Sequence, residues 1–238
     1  MKSQTLKLLK KELLLGNSTQ TLIWTICCIG MYFIPSYPLY VGPFYLTLGI
    51  MMTFALNQSS HDILYTVLLP VRKIDVVKAR FLYCGFLEFL GFLSALIALP
   101  IRTLVNYPEN KAGIGLTICY FALQMLVLAV FNLMFLGNVY KDPLKPGLRF
   151  IFAAVGYFVF YALCEFPVWT YYSMAGKLKA GEITELPAIA KIGALFTSTD
   201  SQVIIPQLII LAGGIAIYLL TWGITFRCAA HQFEKYDL

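Results

Sequence analysis

Between two long apolar runs lies a charged stretch, Asn57–Arg80, reading NQSSHDILYTVLLPVRKIDVVKAR. It places four basic residues, Arg72, Lys73, Lys78 and Arg80, within nine positions. Ser59 followed three residues later by Asp62 has the form of a helix start, with a hydroxyl to cap free N–H groups and a carboxylate in the first turn. Pro70 then stops the helix near Leu69. Asp75 is placed to cap a second start that leads through Val76, Val77 and Lys78 into the next apolar run. The spacing predicts a short helix lying across a membrane surface, with Ile63, Leu64, Val67 and Leu68 on one side. A connection this long and this charged points to a protein partner; the plain alternative is a solvated loop carrying basic residues that set topology.

Three ionisable residues fall inside apolar runs, where a charge costs at least about 2.5–3.5 kcal/mol. Glu88 falls seven residues into its run, roughly 10 Å from the near end at 1.5 Å per residue. It either lines an inner vestibule that attracts a cationic substrate or is hydrogen-bonded within the bundle. Arg102 and Glu165 fall toward the far ends of theirs. They either pair across helices as an outer gate or snorkel separately to water. Catalytic and metal chemistry lack a pattern: there is no G-x-x-x-x-G-K-[ST] and no His-Glu-x-x-His, and His61 and His231 are the only histidines. The six cysteines (27, 28, 84, 119, 164 and 228) show no CxxC or metal spacing and read as small buried hydrophobes.

The elements that must hold these residues are membrane helices. The chain is 59% hydrophobic and 13% charged, with a mean hydropathy of +0.75; a soluble domain of that balance would have too little polar residue for its surface. The expected fold is all-α and polytopic, a single domain over 1–238 with six transmembrane helices. These fall at about 17–35, 39–56, 81–104, 113–138, 150–173 and 203–226. Ahead of them, residues 3–15 place Leu6, Leu9 and Leu13 apart from Lys7, Lys10 and Lys11, as in a helix lying in the headgroup layer. No cleavable signal peptide is expected, since Lys10, Lys11 and Glu12 break the Leu run. The longer connection 174–202 is apolar enough around Glu182–Phe196 to dip into a bilayer but too broken to cross it.

Of the eighteen Lys and Arg, thirteen fall on the side of the N-terminus in this plan and five on the other, which predicts both termini and the 57–80 loop in the cytoplasm. The net charge of +6 is thereby topogenic, and no nucleic-acid partner is expected. Asn17-Ser-Thr matches a glycosylation pattern but faces the wrong compartment. Gly213-Gly214 and Gly85…Gly91 mark expected close helix approaches.

The run Tyr65–Arg80 resembles the loop after the second span in ABC-2-type exporter permeases. That loop has an acidic, aromatic lead-in, a Leu-Pro-Val/Ile turn, a basic pair, and then Val with a basic residue. Asp62, Tyr65, Leu69-Pro70-Val71, Arg72-Lys73 and Val77-Lys78 match, while the common Ser before the basic pair is absent. Within that family the chain is most similar to the small Gram-positive permeases of phenol-soluble modulin (amphipathic toxin peptide) exporters. The resemblance implies a coupling helix that docks on a separate ABC ATPase, using Ser59, Asp62, Tyr65, Leu68, Leu69, Pro70, Arg72 and Lys73. It further implies ATP and Mg in that partner rather than in this chain, and a second copy or a paralogous permease beside it. It places the chain in a bacterial plasma membrane, exporting an amphipathic peptide. The rival expectations are export of a drug or lipid, or a non-transporting anchor that recruits a cytoplasmic partner.

Overall fold

The computed structural model describes residues 2–15, 19–108 and 112–235. The Asn17 glycosylation pattern and residues 109–111, which take in the end of the turn expected over 106–110, lie outside the described residues. Within them the chain is helical and no strand is present: α1 (Lys2–Leu15), α2 (Thr19–Met31), α3 (Val41–Ser59), α4 (Asp62–Leu68), α5 (Lys73–Leu104), α6 (Ile118–Met134), α7 (Pro146–Lys179), α8 (Ala188–Thr197) and α9 (Ile204–Lys235).

Four helical stretches are long and apolar enough to cross a membrane: Lys73–Leu104, Ile118–Lys141, Pro146–Lys179 and Ser201–Lys235. The first two expected spans take a different form. α2 has 13 residues, about 20 Å of helix, and meets α1 at a 79° bend. α3 has 19 residues but ends in Asn57-Gln58-Ser59, which lowers its apolar character. α5 begins eight residues before the expected start of its span, and α7 runs on to Lys179.

α6 is the most buried of the four apolar helices and packs against both α7 and α9. Its N-cap is Thr117, whose Oγ1 accepts from Tyr120 N at 3.3 Å and donates to Phe196 O at 2.8 Å. One hydroxyl thus starts α6 and ties it to α8. Aromatic rings fill the middle of the bundle, Phe135 packing against Phe54, Phe131 and Phe150.

The outer surface is the reverse of a soluble protein's. On α9, Ile205, Leu208, Ile209, Leu219, Leu220 and Ile224 are all exposed. Apolar area on this scale is stable against hydrocarbon and not against water. Helical hydrogen bonding satisfies most backbone N–H and C=O groups, as a bilayer requires, with Pro100 of α5 and Pro167 of α7 each interrupting the ladder.

Three of the four expected glycines carry packing, Gly85 among them, where a Cβ would sit 3.2 Å from Trp222 Cζ2 of α9. A Cβ on Gly214 of α9 would sit 2.9 Å from Ala122 O of α6, and one on Gly91 would meet Leu46 Cδ2 at 2.8 Å. Gly213 has nothing within 4 Å. Replacing Gly214 with valine is expected to push α9 away from α6 and cost about 1–3 kcal/mol, read as a lower unfolding temperature in detergent. Gly213→Val should be near neutral.

The connection 174–202 contains α8, a ten-residue apolar helix laid against α7. The cysteines divide: Cys28, Cys84 and Cys119 are buried, Cys27 and Cys164 are partly buried, and Cys228 is exposed. The expectation of six buried thiols fails at Cys228, because that part of α9 turns an outer face to its surroundings.

Candidate functional site

The charged stretch folds into a short helix seated on buried ions. α3 runs to Ser59, so Ser59 is the end of one helix and not the cap of the next. Its hydroxyl and that of Ser60 both donate back to Leu56 O at 2.9 Å. The residue preceding α4 is His61, at φ 52°. This left-handed conformation is uncommon for a residue with a Cβ, though histidine adopts it more readily than most. It turns the chain sharply between α3 and α4. Asp62 stands in the first turn of α4, as expected. α4 ends at Leu68, and Leu69 is extended (ψ 154°), the conformation that Pro70 imposes on its predecessor.

α5 then starts after Arg72, with Asp75 as its third residue and not its cap. Asp75 accepts from Arg72 Nε at 2.8 Å and from Arg72 Nη2 at 3.1 Å. Thr5 Oγ1 of α1 adds a third donor at 3.4 Å. This fork fixes the entry into α5 and favours a carboxylate near a helix N-terminus.

One turn further along α5, Arg80 is 1% exposed. Its Nε and Nη2 donate to the two Glu12 carboxylate oxygens at 3.3 and 3.2 Å. Nη2 also reaches Asp62 Oδ2 at 3.3 Å, and the guanidinium carbon lies 5.3 Å from the centre of the Phe54 ring. Asp62 in turn is held by Lys11 Nζ, 2.7 Å from Oδ1, and Lys11 donates to Thr66 Oγ1 at 2.5 Å. Two cations and two carboxylates therefore balance where α1, α3, α4 and α5 meet. A buried arginine is tolerable only with such partners.

The seat explains which way α4 faces. Asp62 and Thr66 point inward to Lys11 and Arg80, while Tyr65 and Leu68, three residues apart, point out. Tyr65 is 65% exposed, Leu68 82% and Leu69 54%, with Pro70 exposed beside them. Of the expected docking residues, these four form one outward edge. Ser59 belongs to α3, Asp62 is committed to the ion cluster, Arg72 to Asp75, and Lys73 donates to Glu234 O of α9 at 3.5 Å. The side chains of Ile63, Leu64 and Val67 lie outside the described residues.

Lys11 and Arg80 were read from the sequence only as basic residues of a headgroup-facing helix and of the charged loop, and Glu12 and Thr66 were given no part in a site. The one available signal was that Glu12 shares a helical face with Thr5 and Leu8. That face is the buried one of α1, whereas of the expected apolar stripe Leu6 and Leu13 are exposed and Leu9 is partly buried against the core.

Glu88 stands further from the start of its helix than from the start of the expected span. It falls midway along the 32 residues of α5, accepting on Oε2 from Asn132 Nδ2 at 3.1 Å and from the Tyr218 hydroxyl. It is buried at the floor of an apolar groove between α5, α6 and α9 with a volume of about 590 Å³. Of the two expectations for Glu88, hydrogen bonding within the bundle is formed.

Arg102 and Glu165 engage separate backbone groups. Arg102 Nη1 donates to Tyr32 O just beyond α2, with its guanidinium 4.5 Å from the Tyr107 ring centre. Glu165 is 1% exposed and accepts the Ile114 N–H on both oxygens, at 3.2 and 3.1 Å. Neither the gate pair nor a snorkelling Glu165 is formed. The carboxylate instead fixes the chain just before α6.

Among the described residues no cluster of three or more His, Cys, Asp or Glu is placed to hold a metal. Fold and surface together define an all-helical protein with helices suited to a membrane. No protein-family model, curated protein or solved structure matches the chain.

Proposed function

We propose that this chain is the membrane permease subunit of an ATP-driven exporter, moved by a separate ATPase docked on α4. The observation that carries the reading is the outward edge Tyr65–Leu68–Leu69, held from beneath by Glu12, Arg80 and Asp62. A seven-residue helix would be marginal alone. Pinned by ions to α1 and α5, it becomes a rigid lever whose displacement tilts the start of a 32-residue helix. The loop's resemblance to ABC-2-type permeases supplies the partner's identity. In this reading α2, α3, α5, α6, α7 and α9 are six spans of a bacterial plasma membrane, with both termini cytoplasmic. α1 lies in the headgroup layer with Leu6 and Leu13 toward lipid. Two copies, or this chain and a paralogue, enclose the path. ATP and Mg belong to the partner, and closure of the ATPase pair switches access to a cavity between the halves. The cargo is an amphipathic peptide.

The test is purification of the tagged chain from its own cell. An ATPase in stoichiometric amount is expected with the wild type. Leu68→Asp, which places a charge in the centre of an apolar contact, is expected to weaken that association at least about thirtyfold, an effect of hot-spot size. Normal ATPase association with Leu68→Asp, or a non-ATPase partner in its place, would overturn the docking assignment; the latter result would favour the anchor reading.

A further inference from the structure

The groove around Glu88 carries more than packing. Its walls are Phe81, Phe86, Phe89, Phe92, Trp222 and neighbouring aliphatic side chains, and it opens past Phe86, Phe89 and Leu219, which are exposed. Its floor is polar. Glu88 Oε1 has no hydrogen-bond partner, although Oε2 accepts two donors. Gln124, 1% exposed and also lining the groove, leaves both its Oε1 and its Nε2 without partners. Leaving such groups unpaired costs free energy, most of all away from water. Two acceptors and one amide nitrogen are therefore unpaired beneath the base of an apolar slot, each covered over and closed off from its open volume.

We propose that this groove is a binding site for a small single-chain amphipath whose head carries an N–H donor beside an oxygen. Binding would turn Glu88 and Gln124 toward the slot, where separate amine N–H groups would donate to Glu88 Oε1 and Gln124 Oε1 and the head-group oxygen would accept from Gln124 Nε2. The chain would lie along Phe86 and Phe89 toward the opening. The carboxyl group selects an amine over a fatty acid by charge complementarity. The volume of about 590 Å³ is that of a site for one drug-sized molecule, too small for a whole helical peptide. The ligand enters sideways from the acyl layer, through the face on which the groove opens. This goes beyond the exporter reading, since binding requires only the isolated chain and would survive failure of ATPase docking.

Trp222 lines the groove and reports occupancy. The experiment titrates purified chain in nanodiscs with a brominated long-chain 2-amino-1-alkanol, and separately with a brominated 1-alkanol of equal length, reading tryptophan quenching. Trp222→Phe identifies the reporting residue against Trp24 and Trp169. Saturable quenching at least tenfold tighter for the amino alcohol is expected, with Glu88→Gln and Gln124→Leu each erasing most of that preference. Equal quenching by both probes in the wild type would overturn the site, leaving ordinary lipid partitioning. So would a folded Glu88→Gln chain that keeps the preference. If Glu88→Gln fails to fold, Gln124→Leu and the two-probe comparison in the wild type still decide.

Discussion

Arg80→Met is expected to destabilise the protein by about 3–5 kcal/mol, the range for removing one partner of a buried ion pair. The methionine fills similar space, so the loss is electrostatic. Glu12, 3% exposed, loses both of its arginine hydrogen bonds, and Asp62 keeps only Lys11 among its ionic partners. Two carboxylates then share one cation where there had been two. The double variant Glu12→Gln with Arg80→Met removes the stranded charge as well, and it is expected to recover a large part of the loss. Unfolding temperature in detergent, measured over the full double-mutant cycle, checks this. Additive effects would mean that the pair is not coupled. If α4 is the proposed lever, Arg80→Met should also reduce association of the proposed ATPase with α4, although it leaves Tyr65 and Leu68 in place.

Gly193→Ala is the second large effect, and it concerns α8. A Cβ at Gly193 would fall 2.0 Å from Pro167 O, 2.6 Å from Pro167 C and 2.9 Å from Tyr171 Cβ. Two of these atoms are backbone, so a rotamer change cannot make room. α8 must lift from α7, at an expected cost of about 3 kcal/mol, the upper end for overpacking. The lift would also strain the bonds from Gln207 Nε2 to Leu195 O and Ser198 O, both 2.8 Å, and from Thr117 Oγ1 to Phe196 O. Backbone hydrogen exchange should accelerate across 188–197 while α5 and α6 stay protected. Ile192→Ala, at a residue that is 46% exposed, should leave that exchange unchanged. Uniform acceleration across all helices in Gly193→Ala would instead mean that α8 is part of one global unfolding unit.

The legible features and the missed ones differ by the range of the interaction. Pro70 stops α4 and forces Leu69 to be extended through contacts between neighbours in the chain, and both were readable. The Ser59 cap was read from the same kind of local pattern and failed. Its hydroxyl has a competing local acceptor, Leu56 O, and α3 extends far enough to make that bond. Asp75 shifted from cap to third residue because the Arg72 fork and Thr5 hold it there. On α1, leucine spacing pointed to Leu6, Leu9 and Leu13 as the apolar stripe, of which only Leu9 is partly buried. The protein-facing side is instead Thr5, Leu8 and Glu12, since α5 offers Arg80 and Asp75 as partners.

By itself the sequence determined a helical chain with apolar runs, a charged interruption at 57–80 and a helix there that ends at Pro70. These follow from hydropathy and from backbone sterics, which act within a few residues. Only the tertiary structure decided that Glu12 meets Arg80 across 68 positions, that Glu165 holds the Ile114 N–H in place of Arg102, and that Glu88 sits at mid-helix with one oxygen unfilled. The physical reason is that a charge in an apolar run must find a partner, but the run does not specify which one. That choice is made by the packing of whole helices, and here it turns Asp62 inward and leaves Tyr65 and Leu68 facing out.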